Sequence, residues 1–239
     1  MKLLSLFSFL LIFSLSSCRY FNGEEVRGDG NVVSQQRNVS NFNAIDAGGA
    51  VVVHLVQGPA GVKVTADGNL QEYVEVFTEG DVLVIQYKQN TSLEPSADIK
   101  IFVSAPSLNS IEVSGASELI ADGPYSGTVP LGIKASGASN VTMNINVPKL
   151  DVDISGASHA NIQGKATDII ASASGSSEIR AMELVAETAD IDVSGASGAE
   201  ITANTTMKIE ATGASSVSYK GNAAVTQNVS GAGSVKKVN

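Results

Sequence analysis

The sequence predicts an all-β chain wound as a parallel β-helix, a solenoid of about 18–22 residues per coil with β-hairpin excursions in its N-terminal part. Three observations carry that expectation. First, a motif of small residues, "VSGAS" at Val113–Ser117, returns as "ASGAS", "ISGAS", "ASGSS", "VSGAS", "ATGAS" and "VSGAG". Its glycines, Gly115, Gly137, Gly156, Gly175, Gly195, Gly213 and Gly231, are 22, 19, 19, 20, 18 and 18 residues apart. A near-constant interval with small insertions marks a structural repeat whose loops vary in length. Second, apolar and polar residues alternate with period two around each glycine, as in Val152, Ile154, Gly156, Ser158 and Ala160 against Asp151 and Asp153. That period belongs to a strand with one face buried. Third, a sandwich of hairpins, the competing architecture, needs a turn signal between partner strands. Asp122-Gly123 is one, but the later repeats mostly lack them. Rungs about 4.8 Å apart would instead stack like residues on like.

Composition agrees. Hydrophobic residues make up 43% but aromatics only 5%, with no Trp, so the core must be assembled from Val, Ile and Ala in thin, closely spaced layers. By parity, the motif glycine and second serine point inward at a corner. There a larger side chain would collide with the next rung, and the serine can bond backbone groups freed by the bend.

In chain order, residues 1–17 read as a lipoprotein signal peptide. "MKLLSLFSFLLIFSLSSC" has a positive start at Lys2 and an apolar run too short for a comfortable membrane span. Its last four residues resemble the lipobox of bacterial lipoproteins, which implies cleavage before Cys18 and lipid attachment to the only cysteine of the chain. The expected partner is therefore a membrane, reached through the anchor. Arg19 is not the aspartate that retains lipoproteins at some inner membranes, which points to the outer one. Residues 18–37 read as a flexible linker that contains an incidental Arg27-Gly28-Asp29. Residues 38–105 read as β-rich without the motif, either degenerate first coils or a cap. They include "IDAGGAV" at Ile45–Val51, with Gly49 in the glycine place, and a "TEGD" hairpin turn. Residues 106–239 are the repeat itself.

The charge of −9 opposes nucleic acid and gives no pull toward anionic lipid. The outward carboxylates Glu112, Asp151, Asp153, Asp190, Asp192 and Glu210 are the candidate acids. Asp153 and Asp192 hold the same place in repeats two apart, about 9.6 Å by stacking, at or beyond the limit for an inverting glycosidase pair. A solvated face is the simpler reading. His54 and His159 read as surface histidines without a cysteine partner, so no metal or other cofactor is expected. The repeated serines form no nucleophile elbow. Tyr125 and Tyr219 are the only aromatics of the repeat half that could stack on sugar, while Phe77 and Tyr87 read as core or cap.

"FNAIDAGGAVVVHLVQG", "VKVTADGNLQEYVEVFTEGDVLVIQYK", "IKIFVSAPSLNSIEVSGASEL" and the later "SGAS" strings occur in an order that resembles the auto-transporter adhesin head domain, also called the GIN domain. The resemblance covers nearly everything from about Asn38. It implies a right-handed β-helix on an envelope lipoprotein and carries over no catalytic residue. The expectation is a non-enzymatic binding or adhesion protein for glycan or protein. The alternatives are a polysaccharide-processing β-helix enzyme and a purely structural envelope component.

Overall fold

The structure is a computed structural model that describes residues 23–238, so the leader and Cys18 lie outside the described residues. Strand accounts for 66% and helix for 3%, arranged as a β-solenoid of about 7 turns.

The N-terminal part contains β1 (Glu24–Arg27), β2 (Val32–Arg37), β3 (Ala44–Ala47), β4 (Val52–Gln57) and β5 (Gly61–Asp67). A 3-10 helix at Gly68–Tyr73 follows, then β6 (Val74–Glu79), β7 (Val82–Tyr87), β8 (Thr91–Glu94) and β9 (Lys100–Ala105). β3 with β4, and β7 with β9, each form one coil. β7 pairs parallel with β3, and β9 with β4. β2, β5 and β6 run antiparallel to their neighbours and close the end of the solenoid. The described part of the stretch expected as a flexible linker is therefore mostly strand, Glu24–Arg27 and Val32–Arg37. β2 bonds β5 over six residue pairs, and β1 pairs with β8. Its polar composition reflects a strand that covers an end and keeps one face in water, as the exposed pattern of β2 shows.

The repeat begins with β10 (Ser110–Val113), β11 (Glu118–Ser126) and β12 (Leu131–Ala135). Four long strands follow: β13 (Asn140–Ile154), β14 (His159–Ala173), β15 (Glu178–Val193) and β16 (Gly198–Ala211). β17 (Ser216–Lys220), β18 (Ala224–Val229) and β19 (Ser234–Lys237) complete it. All are parallel and stack in two columns. The first, leading into the motif, runs β7, β3, β10, β12, the C-terminal halves of β13 to β16, and β18. The second, leaving the motif, runs β9, β4, β11, the N-terminal halves of β13 to β16, then β17 and β19. The interior is a continuous stack of Val, Ile, Leu and Ala, with Tyr125 the one large aromatic buried in the repeat half.

The motif joins the columns and corrects one expectation. The second serines, Ser117, Ser139, Ser158, Ser177, Ser197 and Ser215, are buried, as parity required. The glycines are exposed. Parity fails at them because each lies at positive φ, from +75° to +80°, which swings the turn outward before the next strand resumes. Their column is nonetheless tight. A Cβ on Gly137 or Gly156 would lie 2.4 Å from the carbonyl oxygen of the glycine one coil earlier. That oxygen is already bonded, since the amides of Ala138 and Ala157 donate to Gly115 and Gly137 over 2.7 Å. Further bonds, such as Ser136 to Val113 and Asn140 to Ser117, carry the ladder through the corner. The buried serines complete it. Ser197 Oγ accepts from the Ser177 amide at 3.3 Å, and Ser177 Oγ donates to the Ser174 carbonyl at 2.8 Å.

Candidate functional site

Each column presents an outward face, and the two faces differ. On the first, Glu112, Lys134, Asp153, Ser172, Asp192 and Glu210 fall in register. Beside them run Asp151, Ile170, Asp190 and Lys208. Lys208 Nζ lies 2.8 Å from Glu210 and 3.8 Å from Asp190. The Glu210 hydrogen bond, followed by the Asp190 charge, raises its pKa above the usual lysine value. All three are exposed, and such pairs contribute little stability. The column of acids is thus interrupted by Lys134, Ser172 and Lys208. Among the described residues, no group of three or more His, Cys, Asp or Glu side chains is placed to hold a metal ion. Asp153 and Asp192 remain two coils apart on an open strand face.

The second face is not flat. Between matched pairs, β11 advances four residues from Ile120 to Pro124 while β13 advances two, from Thr142 to Asn144. The surplus, around Asp122-Gly123, stands out as a bulge. Three coils further on, β15 takes four steps from Arg180 to Leu184 against three in β14, from Asn161 to Gly164, and projects Met182 and Glu183. The regular coils between the bulges form the floor of a trough of about 590 Å³. Its floor is polar: Thr142, Asn161, Arg180 and Glu200 lie in one register line, and Asn144 and Gln163 in another. The strands here are bonded on both sides, so side chains are left to meet a ligand.

The β11 bulge is held in place from behind. His54 on β4 stacks on Phe102 of β9, with ring centroids 5.2 Å apart and planes at 24°. Its Nδ1 lies 3.0 Å from Asp122 Oδ1. Lys63 Nζ sits 4.6 Å over the same Phe102 ring. Gln57 fixes the far side: its Nε2 donates to the Ser126 carbonyl at 2.6 Å, and its Oε1 accepts from the Ser126 amide at 3.0 Å. Farther along, Arg180 pairs with Glu178, whose hydrogen bond raises the arginine pKa.

His54, expected at the surface, is therefore engaged as a brace for this wall, while His159 lies outward on β14 in register with Asn140 and Glu178. Tyr125 is buried with its hydroxyl accepting from the Leu108 amide, which removes it as a sugar platform. Arg27-Gly28-Asp29 is folded into the cap. Asn69 donates to the Arg27 carbonyl, and a Cβ on Gly28 would lie 2.2 Å from the Asp67 carboxylate. The trough escaped the sequence reading, yet a signal for it existed. The two longest glycine intervals, 22 and 20, begin at Gly115 and Gly175, and most of the surplus of the first and that of the second lie in its walls.

Comparison with known proteins bears on this geometry. The family model described as "Putative auto-transporter adhesin, head GIN domain" matches residues 41–223. A solved structure from Bacteroides fragilis, described as a putative adhesin, superposes with a TM-score of 0.82 at 19% identity, covering 89% of this chain and all of its own. A putative adhesin from Parabacteroides distasonis gives 0.74 at 27% identity, over 90% of this chain and 100% of that one. A protein from the same species described as a putative lipid binding protein gives 0.76 at 20%, with 90% and 100% covered. No curated protein matches the chain.

Proposed function

The chain belongs to the family described as "Putative auto-transporter adhesin, head GIN domain", and from that premise we propose that it is a non-enzymatic binding protein of the bacterial cell envelope. In this reading Cys18 is lipidated after removal of the leader, and the solenoid is held at the outer membrane as a rigid rod. The trough on the second face is the part that meets glycan or protein. The observation that carries the reading is the trough itself, a hydrogen-bonding depression walled by two bulges, one of them braced by His54 and Gln57. A rigid solenoid with such a surface suits modest contacts with an extended partner.

The family is described as a "Putative auto-transporter adhesin, head GIN domain" and two superposing structures as a putative adhesin and a putative lipid binding protein, descriptions that favour binding over catalysis. The carboxylate places weighed for catalysis, Asp153 and Asp192, lie on the other face, separated by Ser172 and exposed. Screening the purified protein against arrays of glycans and envelope or host proteins tests the proposal. Saturable binding to at least one class is expected, and no binding to any class would sink it.

A further inference from the structure

The length, chemistry and charge of the trough together select a kind of ligand. We propose that it binds an extended, uncharged glycan laid across the coils, along the solenoid axis; this inference rests on the binding reading above. The trough spans from the β11 bulge to the β15 bulge, three inter-coil steps or about 14 Å, with Glu200 of β16 at its far edge. That is room for a short run of sugars rather than a single small molecule. Along it, the coils after β11 each offer a hydrogen-bonding side chain at the same place, Thr142, Asn161, Arg180 and Glu200, with Asn144 and Gln163 beside the first two. An amide both donates and accepts, as a sugar hydroxyl does, so paired amides can read neighbouring hydroxyls without a charge on the ligand.

A protein partner is disfavoured by the same surface. The trough-lining residues include no aromatic, and tight protein interfaces centre on buried Trp, Tyr and Arg anchors. A peptide could not join the sheet either, because the β13 and β14 backbones are bonded to coils on both sides. Charge removes a further class. Asp122, Glu183 and Glu200 line the trough against Arg180, which is already paired with Glu178. With a chain charge of −9, sulfated and uronate polymers are repelled. Without an aromatic platform the affinity per site is low, and useful retention comes from many tethered copies on one polymer.

The test measures binding of the full chain to oligosaccharides of dextran and of N-acetylglucosamine, with polygalacturonate and dextran sulfate as anionic counterparts. Binding to a neutral oligosaccharide is expected. Asn161→Ala with Gln163→Ala should weaken it about tenfold or more, the loss of two hydrogen bonds. Both residues are exposed, so the thermal midpoint should not move. Asp153→Ala with Asp192→Ala, on the opposite face, should leave binding intact. Neutral-glycan binding that survives the trough substitutions but is lost with the other pair overturns the site. Preference for the anionic polymers, or binding to proteins alone, overturns the ligand class. The second result leaves the binding reading standing, the first leaves a binding protein but removes the trough from that reading, and failure to bind any glycan or protein removes both.

Discussion

A methyl group on Gly137 would meet a carbonyl oxygen at 2.4 Å, whereas one on Gly30 would meet nothing within 4 Å, although both residues sit near φ +80°. The two positions separate backbone strain from stacking. Gly30→Ala should cost about 1–2 kcal/mol, the left-handed penalty alone. Gly137→Ala adds overpacking against backbone already bonded to Ala138, and should cost about 2–4 kcal/mol. Urea midpoints for the pair decide it, and equal losses would mean that the stack of coils is not what demands glycine. The buried serines allow a second contrast. Ser197→Ala leaves the Ser177 amide without its acceptor and should cost about 1–3 kcal/mol. Among the described residues, Ser215 Oγ is buried with no hydrogen-bond partner. Ser215→Ala should therefore be neutral or stabilising by the same measurement, and a loss matching that of Ser197→Ala would overturn this account.

Among the elements, the coils were legible and the ends of the solenoid were not. A glycine every 18–22 residues and strict alternation define β10 to β19 because each coil repeats one packing problem. The direction of the glycines was misread because parity counting assumes extended backbone through the turn, and positive φ interrupts it. β2 looked like linker because an end-covering strand need not alternate cleanly. The trough was hidden for a related reason: its floor consists of ordinary outward residues, and only the surplus in β11 and β15 gives them walls. The cap has one chemical latch. Buried Asp67, at the end of β5, accepts from the Gly30 amide and the Ser96 hydroxyl through Oδ1, and from the Ser96 amide through Oδ2. Those bonds, the Ser96 hydroxyl foremost, hold its carboxyl below the usual carboxylate range. A depressed pKa stabilises the fold above the unfolded value of about 4 and loses that contribution as pH falls below it. Hydrogen-exchange protection around Gly30 and Ser96, corrected for the slower intrinsic exchange at low pH, should therefore fall as the solution is acidified through that range. In Asp67→Asn the cap should be looser at neutral pH and show a flatter response, and an identical pH profile in the two proteins would count against the latch.

For the whole molecule, the proposed address rests on Cys18, which lies outside the described residues. Cys18→Ala should move the protein from the membrane to the soluble fraction without changing its thermal midpoint, as cell fractionation and a melting curve would register. Retention in the membrane would exclude the thioether anchor. The stacking order of the first coils has its own consequence, for the order in which the chain can be built. β3 is flanked by β7, 38 residues later by the Ala44–Val82 pair, and by β10, 66 residues later by the Ala44–Ser110 pair. Coils of the repeat find their partners after about 20 residues, so closing the longer loop costs about 1 kcal/mol more in chain entropy. The part of the chain synthesised first must then wait, with both edges of β3 unpaired, while later coils can zip together locally. The end of the rod nearest the proposed anchor is, on this account, the last to be sealed, and the interval before sealing is when the young chain most needs protection from its neighbours.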